Sequence, residues 1–222
     1  MALRALRRRI GLPEFGIMGS KVRNCNMEFV PAADAKPRAG QFLLSEPFMS
    51  DVWFGRKVVF LCDQDEDGSL GFVLDNFTDR PIESVLSDSE DWPLQQRVSM
   101  GGPVHDDSLF YLHRMGNVVS GGLPVLPGLW LGGDFDELKS ALSSGEFGDR
   151  HVRFFIGYSG WTSGQLDNEM RQHSWYVHDI PLEPKLDAIF NPPTEGLWKR
   201  MLASKGPGFA RASTLPLDPS LN

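Results

Sequence analysis

From Gly40 onward the chain consists of short β-prone runs cut apart by Gly, Pro and Asp clusters, and this punctuation limits the possible folds more than any other feature. Runs of four to eight β-branched and aromatic residues between turn signals make strands, not long helices. The runs 41–45, 58–62, 70–74, 97–100, 109–113, 129–132, 152–158 and 174–177 are the expected strands. Helical periods are fewer but well capped. Asp134 with Glu137 forms a capping box ahead of Phe135, Leu138 and Leu142, and Thr162 with Gln165 repeats it ahead of Leu166 and Met170. Thr194 is placed to cap a helix bearing Leu197, Trp198, Met201 and Leu202, and Pro81 suits the first turn of a short helix through Leu86. Strands and helices do not alternate strictly, so the expected class is α+β rather than a doubly wound sheet.

Charge divides the chain into three. Residues 1–39 carry eight basic and three acidic side chains (+5), residues 205–222 carry two and one (+1), and residues 40–204 carry 12 and 25 (−13), which sums to −7 over 222 residues. Residues 1–39 read as a disordered or over-called basic leader, with Met1, Met18 and Met27 as alternative starts. Residues 205–222 are rich in Pro and Gly and read as a tail, so 40–204 is the expected domain. Its acidity argues against direct DNA binding, which draws its affinity from phosphate neutralisation by Lys and Arg. The longest apolar run, Val58 to Cys62, is far short of the ~18 residues of a membrane span, so no membrane partner is expected. Two cysteines, Cys25 and Cys62, are too few for a disulfide framework or a thiolate zinc site, and a reducing, cytoplasmic compartment is the expectation.

Four segments invite a chemical reading. Asp63-Gln64-Asp65-Glu66-Asp67-Gly68 opens like a calcium loop, but position twelve is Leu74 where a bidentate Glu is needed. An acidic hairpin turn is the expectation. Gly157-Tyr158-Ser159-Gly160-Trp161 approaches a hydrolase nucleophile elbow, with Trp161 where the second Gly belongs. Met100-Gly101-Gly102-Pro103-Val104 offers either close backbone approach to a ligand or a sharp turn, and no Lys-Ser/Thr follows to make a phosphate loop. His105 beside Asp106 and Asp107, and His173 with His178, lack metal-ligand spacing, so no metal and no cofactor are expected.

In series these pieces resemble the bacterial YqgE/AlgH family: Gly40-Gln41-Phe42-Leu43-Leu44-Ser45-Glu46-Pro47, Phe54 through Leu61, Gly68 through Leu74, Gly101 through Val104, Leu112-His113, and Gly157 through Trp161 with Gly164-Gln165-Leu166 and Glu169. The resemblance spans about residues 40–202. It implies one compact domain with a bent or partly closed mixed β-sheet surrounded by short helices, a cytosolic bacterial home, and a family label of transcriptional regulator. The family usually has Asn, a basic residue and Pro after the 70–74 strand, where this chain has Asp75-Asn76-Phe77.

Two functions from different classes follow. The first is a non-enzymatic binding or regulatory domain acting through a protein or small-molecule partner, with Gly101, Gly102, Pro103, Tyr158, Ser159, Trp161, Gln165 and Glu169 as its contact surface. The alternative for the same residues is that Tyr158 and Trp161 fill the core and Gln165 caps a helix. The second function is a hydrolase or nucleic-acid-processing enzyme in which His113, Asp107 and Glu169 supply acid and base, which requires them to converge in one cleft.

Overall fold

The computed structural model describes residues 36–86, 92, 94, 97–193 and 195–216. Most of the basic leader, with its three candidate starts, and Thr194 lie outside the described residues.

Ten strands form one sheet: β1 (Phe42–Ser45), β2 (Val58–Asp65), β3 (Gly68–Val73), β4 (Phe77–Pro81), β5 (Arg97–Met100), β6 (Val104–His113), β7 (Leu123–Leu126), β8 (Leu129–Leu131), β9 (Val152–Thr162) and β10 (Trp175–His178). The order along the main path is β10-β1-β2-β3-β9-β6-β8-β7, with β4 joined through β5 to β9. Every pairing is antiparallel except β5 with β9. The ends β10 and β7 do not pair, so the sheet is not closed. It does curl: a Cβ on Gly40, just ahead of β1, would lie 2.4 Å from Leu126 Cδ2 at the end of β7.

Side chains alternate across the sheet, yet the strands read as continuous apolar runs because both faces are covered. Phe42, Leu44, Val58, Phe60, Leu70 and Phe72 point into one core, while Leu43, Val59, Leu61 and Val73 point into another. The first core is closed by α3 (Leu182–Phe190) and α4 (Leu197–Ser204), through Leu186, Ile189, Phe190, Leu197, Trp198, Met201 and Leu202. The second lies under α2 (Gln165–Arg171), and a third cluster packs α1 (Phe135–Ser143) against Tyr111, Phe154 and Ile156.

The eleven-residue β9 is the pivot, and Gly157 is where it bends. Gly157 has φ +66, and four β6 residues, 105–108, bulge opposite it between the pairs Val104–Tyr158 and Leu109–Ile156. A Cβ on Gly157 would sit 2.6 Å from Gly102 O and 3.0 Å from Val104 O. Gly157→Ala is therefore expected to cost about 2–3 kcal/mol, from the left-handed backbone and the clash together. Urea denaturation checks this, and an unchanged midpoint would contradict it.

Several local expectations are corrected. At α1 the Asp134 carboxylate accepts from Asp136 N and Glu137 N at 3.0 and 2.9 Å, but Glu137 turns away to accept from Ser120 N at 2.6 Å. The box is half made. Gln165 does reach back, accepting from Thr162 N at 3.0 Å, but Thr162 ends β9 and the N-cap of α2 is Gly164, with no side-chain cap, so the expected box is not formed. The expected helix after Pro81 is only a 3-10 turn, Ile82–Ser84. Two strands not expected, β4 and β7, contain Pro81 and Pro124 and are edge strands, where a missing N–H is tolerated. Prolines also mask two helices. Pro184 lies in the first turn of α3, and Pro207 opens α5 (Pro207–Ala212) inside the expected tail. Phe209 of α5 meets the Tyr176 ring edge-on at 5.2 Å, so ordered packing continues past residue 204.

Candidate functional site

The expected contact surface turns out to be mostly interior. Tyr158, Ser159 and Trp161 lie within β9 and are 1%, 0% and 2% exposed, while Gly101 and Gly102 are buried and Pro103 and Gln165 are half-buried. The two glycines are needed because their backbone crosses that of β9: a Cβ on Gly101 would lie 2.3 Å from Gly157 O. The polar groups of Gly101 are already used. Gly101 N donates to Ile156 O, and Gly101 O accepts from Val73 N and from the Ser159 hydroxyl, at 2.8, 2.9 and 2.9 Å. With Gly101 N engaged the two glycines do not present a free amide pair, and Ser159 lacks the nucleophile-elbow setting. It sits mid-strand with its hydroxyl bound to backbone, not on a strand-to-helix elbow.

Glu169 is the hub of a buried polar cluster. Its Oε2 accepts from the indole N–H of Trp161 and of Trp175, both at 2.8 Å, and its Oε1 accepts from Gln165 Nε2 at 3.0 Å. Burial pushes the Glu169 carboxyl above the usual range, against the three hydrogen bonds that favour its ionised form. Phe54 stacks on Trp161 and meets Trp175 edge-on. The cluster pins α2 to β9 and β10, a structural use of the same residues.

The expected acid and base residues do not converge. His113 is fully buried in β6 opposite Val152, at one end of β9, whereas Glu169 binds Trp161 near the other end. His113 Nε2 lies 2.9 Å from Gly132 O and Nδ1 accepts from Met115 N at 3.1 Å, which defines a neutral ring with both nitrogens engaged. Burial lowers its pKa accordingly. Asp107 is exposed in the β6 bulge, where it accepts from the Ser108 hydroxyl at 3.0 Å. Among the described residues no group of three or more His, Cys, Asp or Glu side chains could hold a metal ion. The calcium-like segment forms the β2–β3 hairpin, with Asp65 paired to Gly68 and Asp67 N bound to Asp65 Oδ1 at 2.9 Å.

An open groove lies elsewhere, between α3 and α4. It has a volume of about 580 Å³ and apolar walls from Ile180, Pro184, Ala188, Leu197 and Met201. His178, Ser204, Asp187, Asn191 and Arg200 supply its polar groups. The His178 ring lies 2.9 Å from Ser204 Oγ, and Ser204 Oγ donates to Met201 O at 2.7 Å. Because that hydroxyl has one proton, His178 Nε2–H must be the donor to Ser204. A nucleophilic serine needs the opposite direction of transfer. Burial and the neighbouring Lys205 push His178 down to about 4, so the ring is neutral at physiological pH. Sequence reasoning assigned no element to 178–193, a stretch that holds prolines 181, 184, 192 and 193, and so did not reach the groove.

Comparison with known proteins places these features in a wider group. The AlgH-like family pattern matches residues 42–210. A UPF0301 protein of Cytophaga hutchinsonii is 39% identical over 184 residues, covering 82% of this chain and 98% of that one. A UPF0301 protein of Bacteroides thetaiotaomicron is 36% identical, covering 84% and 92%. Among solved structures, the AlgH protein of Pseudomonas aeruginosa matches with a TM-score of 0.60 at 25% identity, covering 82% of this chain and 97% of that one. A Corynebacterium diphtheriae protein matches with a TM-score of 0.65 at 20% identity, covering 82% and 94%. No helix among the described residues is long and apolar enough to cross a membrane.

Proposed function

The chain belongs to the AlgH-like family, a bacterial family of uncharacterised function, and from that premise we propose that it is a non-enzymatic binding domain whose ligand is a small organic molecule held in the α3–α4 groove. The observation that carries this reading is the groove itself. A volume of about 580 Å³, apolar walls and a few convergent polar groups are the usual make-up of a small-molecule site. Ile180, Ala188, Leu197 and Met201 suit an apolar body, and His178, Asn191 and Arg200 suit a hydrogen-bonding head. The scattering of His113, Asp107 and Glu169 supports binding over catalysis. Regulation would follow from occupancy of the groove rather than from direct DNA reading, which the −13 charge of residues 40–204 opposes.

Ala188 is half-buried on the groove wall, so Ala188→Trp fills the space without entering the core. Ligand-observed NMR with a panel of small amphipathic molecules should find binders to the wild-type chain that weaken at least about tenfold with Ala188→Trp, while its circular dichroism stays native. Binders that ignore this substitution would overturn the groove as the site.

A further inference from the structure

A second cavity, on the other flank of α4, points to a different ligand. It has a volume of about 340 Å³ and is lined by Arg56, Lys57, Asp75, Glu195, Gly196, Trp198, Lys199 and Ser213. Residues 40–204 hold only 12 basic side chains against 25 acidic ones, yet three of the 12 converge on this one cavity from two distant parts of the chain. We propose that it is an anion site, selective for a compact phosphate or carboxylate group, and independent of the α3–α4 groove.

Two of the three cations are held in place before any ligand arrives. Arg56 has φ +54, rare for a residue with a side chain, and its guanidinium is tied to Pro47 O at 3.4 Å and to Leu215 O while lying 5.3 Å over the Trp198 ring. Two of its five N–H donors serve those carbonyls, which leaves three. Lys57 Nζ gives one proton to Asp75 O at 3.0 Å, and Lys199 is exposed, with no bond to another described residue. Trp198 cannot swing away, because its indole N–H donates to Ser45 O at 2.9 Å.

The two carboxylates set the sign of the field. Asp75 accepts from Val58 N at 3.1 Å and feels both Lys57 and the fully buried Arg153, and its burial works against the ionised form. Its negative charge is thus largely answered within the fold. Glu195 is exposed and opposes an incoming anion. The arrangement therefore predicts opposite effects for two exposed neighbours: Lys199→Glu weakens anion binding and Glu195→Gln strengthens it.

The test is a titration of the full chain with inorganic phosphate and, separately, with succinate, followed through tryptophan fluorescence and two-dimensional NMR. Saturable binding of at least one anion, about tenfold weaker in Lys199→Glu and severalfold tighter in Glu195→Gln, would support the site, and the stronger of the two anions identifies phosphate or carboxylate as its ligand. Both substitutions are on the surface and leave the core intact. Absence of saturable binding by either anion, or affinities that neither substitution moves, would overturn the proposal.

Discussion

Arg153→Met is expected to be the most damaging single substitution in this fold, costing about 4 kcal/mol of a stability that is commonly 5–15 kcal/mol. Arg153 leaves β9 fully buried and donates to Ile189 O of α3 at 2.5 Å, to Ser99 Oγ of β5 at 2.8 Å and to Leu74 O after β3. Its guanidinium lies 5.3 Å from the Phe77 ring centroid and 5.0 Å from that of Phe155. Burial pushes the guanidinium down to about 9, with Asp75 nearby opposing that shift, so the charge persists at neutral pH. Methionine fills much of the volume but leaves two carbonyls and a hydroxyl without a donor, each a desolvation cost of about 1–3 kcal/mol. Lysine cannot rescue it, because one ammonium does not match the fork that spans three acceptors. Urea denaturation should show a midpoint lowered by roughly a quarter to four-fifths, depending on where in the range of about 5–15 kcal/mol the wild type lies; a loss below about 1 kcal/mol would contradict this role.

Glu169→Ala is expected to cost about 3 kcal/mol, because it strands two buried indole N–H groups and removes the acceptor of the half-buried Gln165 amide. Glu169→Gln keeps the shape and exposes the charge term. The folded carboxyl titrates above its ordinary value of 4.5, so its contribution to stability is fully present below pH 4.5 and is lost as pH rises through the folded pKa. Measured against Glu169→Gln, the wild type should therefore gain stability on going from pH 7 to pH 4.5. Comparing both proteins in the same experiment cancels His178, a base lowered to about 4, which contributes in the opposite direction: its stability is present above 6.5 and lost as pH falls towards 4. An unchanged difference between the two proteins at pH 7 and pH 4.5 would contradict the charge term.

Most strands were legible because their apolar runs are bounded by turn residues; 97–100 matches β5 residue for residue. Extensions of β2, β6 and β9 were not, since they run into polar or Gly-containing stretches such as Asp63–Asp65 and Ser159–Thr162 that the sheet absorbs by pairing. Proline was over-read as a breaker in the tail at 207, and no element was expected around 124 or 184, although an edge strand or a first helical turn makes no use of the missing N–H. The burial of most of the expected contact surface was not legible for a related reason. Glycine beside aromatic residues signals close backbone packing as readily as ligand contact, and only the crossing of Gly101 and Gly102 over Gly157 distinguishes the two. Of the two uses weighed for Tyr158 and Trp161, the structure assigns core packing. The groove and the basic cavity depend on convergence of residues from 56–57 and 178–204, which no local pattern encodes. The Asp75-Asn76-Phe77 segment has a structural use: Asp75 accepts from Val58 N, and Phe77 lies over the buried guanidinium of Arg153.

The central claim is that ligands engage the flanks of α4, while the aromatic segment of β9 serves the core. Site-resolved NMR of the full chain, titrated with the tightest small molecule found by the ligand-observed panel, tests it most directly. The account predicts that the largest amide shifts fall within 178–204 and that signals from 157–169 stay in place. Shifts centred on 157–169 with 178–204 unmoved would contradict it.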